Sequence, residues 1–188
     1  MFRPLEVQKE WHLAFMGRIE TSKGVDLLPE VISRTRRGVP DLTAVITGEG
    51  TYRPALLSIL KHSGLDECVT YLGVVGWDEI ASILNRSRVF VYPSRNEPFG
   101  LPIVEAMTCE VPVVTSDVHG PREIITDGED GVLVPPGDPV ALARAIIGLL
   151  TNEGLRTRMG RKSRATTEDR FSLSHHVDAL LEVYRSVL

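Results

Sequence analysis

Apolar runs recur at Trp11 to Met16, Leu42 to Thr47, Val69 to Leu72, Val89 to Tyr92 and Val111 to Thr115. Each has strand length and is nearly continuous rather than alternating, the pattern of strands buried on both faces of a parallel sheet. Between them, apolar residues return at three- and four-residue steps in Asp26 to Arg36, Pro54 to Ser63, Asp78 to Asn85 and Leu101 to Met107. These segments predict helices. The alternation predicts an α/β domain with a doubly wound, Rossmann-like, mostly parallel sheet and helices on both faces. Asp26 is expected to cap the first helix, leaving Pro29 in the first turn, where its missing N–H costs no intrahelical bond.

Past Thr115 the pattern changes. The stretch SDVHGPREIITDGEDGVLVPPGDP is rich in Gly, Pro and Asp and holds one short apolar strand, Val132 to Val134. Helical periods follow at Pro139 to Leu150, opened by Asp138 as N-cap, at Leu155 to Ala165 and at Ser172 to Val187. With no linker, repeat or low-complexity tract, residues 1–188 read as a single domain. Ligands of such sheets bind beyond the carboxyl ends of the strands, so the loops after the apolar runs are where chemistry is expected.

Charge and cysteine content remove several classes. The net charge is −4, and Lys and Arg are scattered singly apart from the Arg34 to Arg37 cluster, so nothing forms a basic stripe for nucleic acid. No apolar run approaches the ~20 residues of a membrane span, and charges interrupt Met1 to Glu10 where a signal peptide is apolar, so a cytoplasmic location is expected. Cys68 and Cys109 are too few for a disulfide framework or a zinc site and read as small core or near-surface thiols. The acidic turn Asp127 to Gly131 lacks the calcium-loop pattern and reads as a solvated turn. Adjacent His175 and His176 cannot both face one ion. No metal is expected, and a small-molecule substrate is left.

Two loops carry the candidate chemistry. GRIETSKG, Gly17 to Gly24, follows the first strand directly; Gly17 permits the turn, and Arg18 and Lys23 stand on one loop at the ligand-binding edge. Two cations there suit a diphosphate, with Arg binding oxygens bidentately and Lys acting as a point charge. The alternative is two solvated surface cations beside a glycine turn. EPFGLPIVEAM, Glu97 to Met107, follows the fourth run. A helix beginning near Gly100 offers free N–H groups and its dipole to an anion. Glu105 then lies about 7 Å along the axis at ~1.5 Å per residue, within reach of a ribose on that phosphate. Glu97 precedes the turn, and a carboxylate holds the hydroxyls of a vicinal diol, so one glutamate per sugar is the natural reading. The alternative makes Glu105 a solvated helix position and Glu97 a loop carboxylate. Arg95 either helps neutralise phosphate or serves the surface, and Tyr52 and Trp77, which open helices, read as packing aromatics.

GRIETSKG, TGEG, YLGVV, YPSRNEPFGLPIVEAM, VPVVTSDV and GVLVPPGDPVALA, in this order and spacing, resemble the donor-binding half of family 4 (group 1) retaining glycosyltransferases of the GT-B type. The resemblance spans essentially the whole chain and implies one half of a GT-B fold. It implies that Arg18 and Lys23 bind the donor diphosphate, Glu105 the ribose and Glu97 the hydroxyls of the transferred sugar. Backbone N–H groups of Phe99, Gly100 and Leu101 would contact sugar and phosphate, Gly48, Gly73, Val74 and Val75 would border the nucleobase, and Gly17 would belong to the same donor-binding set. The implied donor is a nucleotide-diphosphate sugar, UDP or GDP, with no other cofactor. The acceptor would be held by a separate N-terminal domain absent from this chain, through which any peripheral membrane contact would run. Glu110 and His119 stand where the family commonly has glycine, which for Glu110 implies a strained left-handed helix cap. Two rival readings remain: a non-catalytic nucleotide-sugar binding module, and a glycosidase using Glu97 and Glu105 as acid and base.

Overall fold

The computed structural model describes residues 2–187. Its six strands are β1 (Trp11–Met16), β2 (Ala44–Thr47), β3 (Val69–Gly73), β4 (Ser87–Tyr92), β5 (Val113–Ser116) and β6 (Val132–Val134). They form one sheet in the order β3-β2-β1-β4-β5-β6, and every pairing is parallel. The order reverses between β1 and β4, so the loops after these two strands open side by side at the switch point of a doubly wound sheet.

The helices are α1 (Leu28–Gly38), α2 (Arg53–His62), α3 (Trp77–Asn85), α4 (Leu101–Thr108), α5 (His119–Ile124), α6 (Pro139–Thr151), α7 (Glu153–Arg170) and α8 (Leu173–Val187). Right-handed crossovers set α1 and α2 on one face and α4 on the other. α6 packs on α1 and α7 on α4, completing the two helical layers. β1, β2, β4 and β5 are buried almost throughout, as continuous apolar runs require. Phe15, Phe90, Leu13, Ile46, Ile103 and Met107 are among the largest fully buried side chains, each worth roughly 1.5–3 kcal/mol of burial. Among the described residues no helix is long and apolar enough to cross a membrane.

Several expectations need correction. β3 alternates between half-buried and exposed positions because it is the edge strand, paired only with β2. Asp26 caps nothing: α1 starts from Leu27 after the 3-10 turns Thr21–Lys23 and Val25–Leu27, with Pro29 still inside its first turn. α5 has no counterpart in the sequence reading, because Gly120 and Pro121 read as loop residues, and His119 opens this helix rather than holding a glycine-type backbone. α7 extends past Ala165 to Arg170, since its buried positions Met159, Gly160, Ser163 and Thr167 are mostly small or polar and give a faint apolar period. The acidic turn is not wholly solvated. Asp130 is 1% exposed and accepts hydrogen bonds from the Thr126 N–H at 2.7 Å and the Thr166 hydroxyl at 2.7 Å, tying the turn to α7. Glu110 does take the left-handed conformation, with φ 58°.

Candidate functional site

The loops after β1, β2 and β3 are laced together by their backbones. Gly17 donates to the Thr47 carbonyl, Gly48 to the Gly73 carbonyl at 2.7 Å, and Ile19 to the Glu49 carbonyl at 2.8 Å. The Tyr71 hydroxyl adds a bond to the Gly48 carbonyl. Gly48 is required where it stands: at φ +126°, a Cβ there would lie 1.8 Å from the Gly17 carbonyl oxygen. The lacing leaves a cleft of about 360 Å³ at the carboxyl end of the sheet. Gly17, Arg18, Gly48, Val74, Val75 and Glu105 all line it, with Met16, Thr47, Glu49, Ile80 and Pro102. Gly73 stands just behind, bracing Gly48.

Glu105 reaches this cleft from α4 and is half-buried there. Burial alone pushes its carboxyl up to about 7, with no cation compensating. A carboxylate desolvated without a partner is costly, and it is poised to accept hydrogen bonds from something that fills the cleft.

A second set of contacts staples the β1 loop to the loop after β4. The Ser94 hydroxyl and the Arg95 N–H both donate to the Ser22 carbonyl, at 3.2 and 2.9 Å. Gly24, at φ +71°, lies so close to Pro93 that a Cβ would stand 1.9 Å from its carbonyl oxygen. Arg95 grips the Thr21 carbonyl at 2.7 Å and both oxygens of Asp26 at 2.6 and 2.8 Å, so its charge is spent on the staple and it is not a free phosphate ligand.

The staple turns Lys23 inward. Its ammonium meets Glu97 Oε2 at 2.7 Å with both side chains 10% exposed, while the Tyr92 hydroxyl donates to the same oxygen at 2.8 Å. Neither the solvated-cation nor the loop-carboxylate alternative fits these two residues. Arg18 behaves differently: it is 66% exposed at the cleft rim and pairs with Glu20 at 3.0 Å. Beyond Glu97 the chain turns through Gly100 at φ +115° into α4, whose Pro102 has no N–H to leave unpaired. Among the described residues, the N–H groups of Phe99, Gly100 and Leu101 donate to no other group of the chain. Phe99 lies edge-on to Phe171 with ring centres 5.8 Å apart, and Leu101 is exposed.

Sequence reasoning missed two supports. α5 comes in beneath the loop at Gly120, which donates to the Glu97 carbonyl at 3.0 Å; a Cβ at Gly120 would lie 2.5 Å from that oxygen and from the Phe99 carbonyl. The other support is Tyr92, which reads in sequence as one more apolar strand residue. Trp77, read as a packing aromatic, is 71% exposed and meets Phe2 only edge-on. Among the described residues, no three His, Cys, Asp or Glu side chains group to hold a metal.

A doubly wound α/β fold that gathers Arg18 and Lys23, Glu97 and Glu105, and the free N–H groups at the head of α4 at its switch point has the architecture of the nucleotide-binding α/β domains. The family is narrower than that. The model described as "Glycosyl transferases group 1" matches residues 1–166, and the chain belongs to this family. It is 35% identical to the alpha-D-kanosaminyltransferase of Streptomyces kanamyceticus over 92% of this chain and 45% of that protein, and so spans less than half of that relative's length. Among solved structures, it resembles the C-terminal domain of the group 1 glycosyl transferase LpcC from Francisella tularensis, with TM-score 0.83, 27% identity and coverage of 92% of this chain and 96% of that one. It also resembles Anabaena HepE in complex with UDP-glucose, with TM-score 0.85, 24% identity and coverage of 94% of this chain and 49% of that one. The fold is one half of the GT-B architecture.

Proposed function

We propose that the chain is the donor-binding half of a retaining, metal-independent hexosyltransferase that takes a nucleotide-diphosphate sugar, UDP or GDP being the nucleotide. The observation that carries the reading is the adjacency of two prepared sites: a cleft lined by Arg18 and Glu105, and a Lys23–Glu97 pair next to the free N–H groups of Phe99, Gly100 and Leu101. The first suits a nucleoside and the second a sugar diphosphate.

In this reading the base lies against Gly48, Gly73, Val74 and Val75, and the ribose hydroxyls donate to Glu105. The diphosphate bridges Gly17, Arg18 and Lys23 and the head of α4, and a hydroxyl of the transferred sugar donates to Glu97. As the anomeric C–O bond breaks, positive charge grows on the sugar ring and negative charge on the departing diphosphate. Arg18, Lys23 and the N–H groups at the head of α4 stabilise that negative charge more in the transition state than in the ground state, which lowers the barrier. Because protein groups supply the positive charge, no metal is needed for departure. The acceptor hydroxyl attacks from the face the diphosphate leaves, held by an N-terminal domain outside this chain. The coverage of about half of HepE but nearly all of the isolated LpcC domain supports that division.

Titration calorimetry with UDP, GDP and ADP tests the reading. Arg18→Ala, at an exposed rim position, and Lys23→Ala are each expected to weaken the preferred diphosphate about tenfold or more, the loss typical of a charge-assisted hydrogen bond. Wild-type affinity in both variants refutes the diphosphate assignment. Transfer by the full enzyme, absent when a chain carrying Glu97→Ala is used, separates an enzyme from a binding module.

A further inference from the structure

We infer that Tyr92 is a positioning residue for the sugar subsite: its hydroxyl fixes Glu97 so that one carboxylate oxygen faces the transferred sugar. The inference rests on the donor-site reading above. Tyr92 ends β4 with its ring fully packed, stacked between Phe15 and Phe90 at 6.0 Å centroid distance from each and 16° between planes. The ring therefore cannot swing, and its hydroxyl is delivered to one place. Burial and the neighbouring Glu97 push the phenol up, so it keeps the proton that it donates to Glu97.

The direction of the bonds decides the role. Lys23 at 2.7 Å and Tyr92 at 2.8 Å converge on Oε2 of Glu97, and among the described residues no group donates to Oε1. Two donors on one oxygen, one from the loop after β1 and one from the end of β4, fix both the position and the rotation of the carboxylate. A lone ammonium on a flexible stem would fix the charge and leave the rotation free. With Oε2 occupied, Oε1 and its lone pairs are what the carboxylate offers a sugar hydroxyl. The cost of orienting it is met during folding and not on binding.

Tyr92→Phe removes the hydroxyl and keeps the stacked ring, which makes it the test. Calorimetry on the full chain compares UDP with UDP-glucose, and GDP and ADP with their glucose derivatives, in wild type and variant. The expected result is about a tenfold loss for the sugar nucleotide with the bare diphosphate unchanged, and an unchanged melting temperature within a few degrees. The same loss is expected of Glu97→Gln, and adding Tyr92→Phe to it should cost nothing more, because the two act through one group. The proposal is overturned if Tyr92→Phe binds both ligands as wild type does. It is equally overturned if both ligands weaken together, the mark of a merely structural role, or if the double variant loses a further tenfold. A wild-type chain that binds none of the nucleotides defeats the donor-site reading itself, and the proposal with it.

Discussion

Glu105→Gln should make the domain more stable and a poorer ligand binder, and pH should separate the two effects. The carboxyl sits in the cleft with burial alone acting on it, lifting it to about 7 from an ordinary value of 4.5. Between those values the folded chain holds a proton the unfolded chain has released. The contribution of this group to stability is therefore fully present below pH 4.5 and is lost as pH rises through 7. At about 1.36 kcal/mol per pH unit the interval amounts to about 3 kcal/mol for a fully desolvated group, and a side chain that opens on a solvated cleft retains about half. Gln is neutral throughout. The variant should gain about 1.5 kcal/mol over wild type in urea unfolding at pH 8 and close to nothing at pH 4.

Binding should move the other way. Only the ionised carboxylate accepts from both ribose hydroxyls, and one pH unit below the midpoint about a tenth of the molecules carry it. Wild-type affinity for UDP-glucose is then expected to rise about tenfold between pH 6 and pH 8 and to level off above, while the Gln variant binds weakly and flatly. UDP-glucose is the right probe because its phosphates are both esterified, whereas the terminal phosphate of UDP titrates in the same range. A stability difference that is equal at pH 4 and pH 8 refutes the unpaired, desolvated carboxyl. A flat wild-type binding profile refutes its contact with ligand.

Other substitutions probe the scaffold. Gly48→Ala places a Cβ 1.8 Å from the Gly17 carbonyl and demands an unfavourable φ, so it should cost at least about 3 kcal/mol in chemical denaturation; a loss below 1 kcal/mol would mean the two loops separate easily. Glu110→Gly relieves the left-handed residue after α4 and should raise the melting temperature by about 2–4 °C, since glycine at that position is worth about 1 kcal/mol. A lowered melting temperature would show the Glu110 side chain to be holding something the strain offsets. Arg95→Ala breaks the clamp on Asp26, with an expected stability loss of up to about 1 kcal/mol and unchanged nucleotide affinity by calorimetry; a tenfold loss of affinity would return Arg95 to the phosphate site.

What the sequence discloses and what it hides divide along one physical line. The parallel sheet was legible because strands covered on both faces leave continuous apolar runs, and β1 and β4 match theirs at the carboxyl end to the residue. Arg18, Lys23, Glu97 and Glu105 were legible as a set because strand-loop-helix order places them at one edge of such a sheet whatever their contacts are. Contacts between loops distant in sequence were not legible. Lys23 and Glu97 are 74 residues apart, and nothing local says that the first turns inward to the second while Arg18 stays at the rim. The role of Arg95 stays open in sequence, between phosphate and surface, for the same reason: its partner Asp26 is 69 residues away and reads as a helix cap. α5 was hidden differently: Gly120 and Pro121 are loop residues by propensity, and Gly120 serves in a helix because the loop from Glu97 to Phe99 comes too near for any side chain. Tyr92 shows the limit most clearly. Its ring obeys the apolar pattern of β4 and its hydroxyl does not, so a pattern of hydrophobic and polar positions counts the residue once, as core. Only the packed structure reveals that the same side chain also orients a carboxylate at the site.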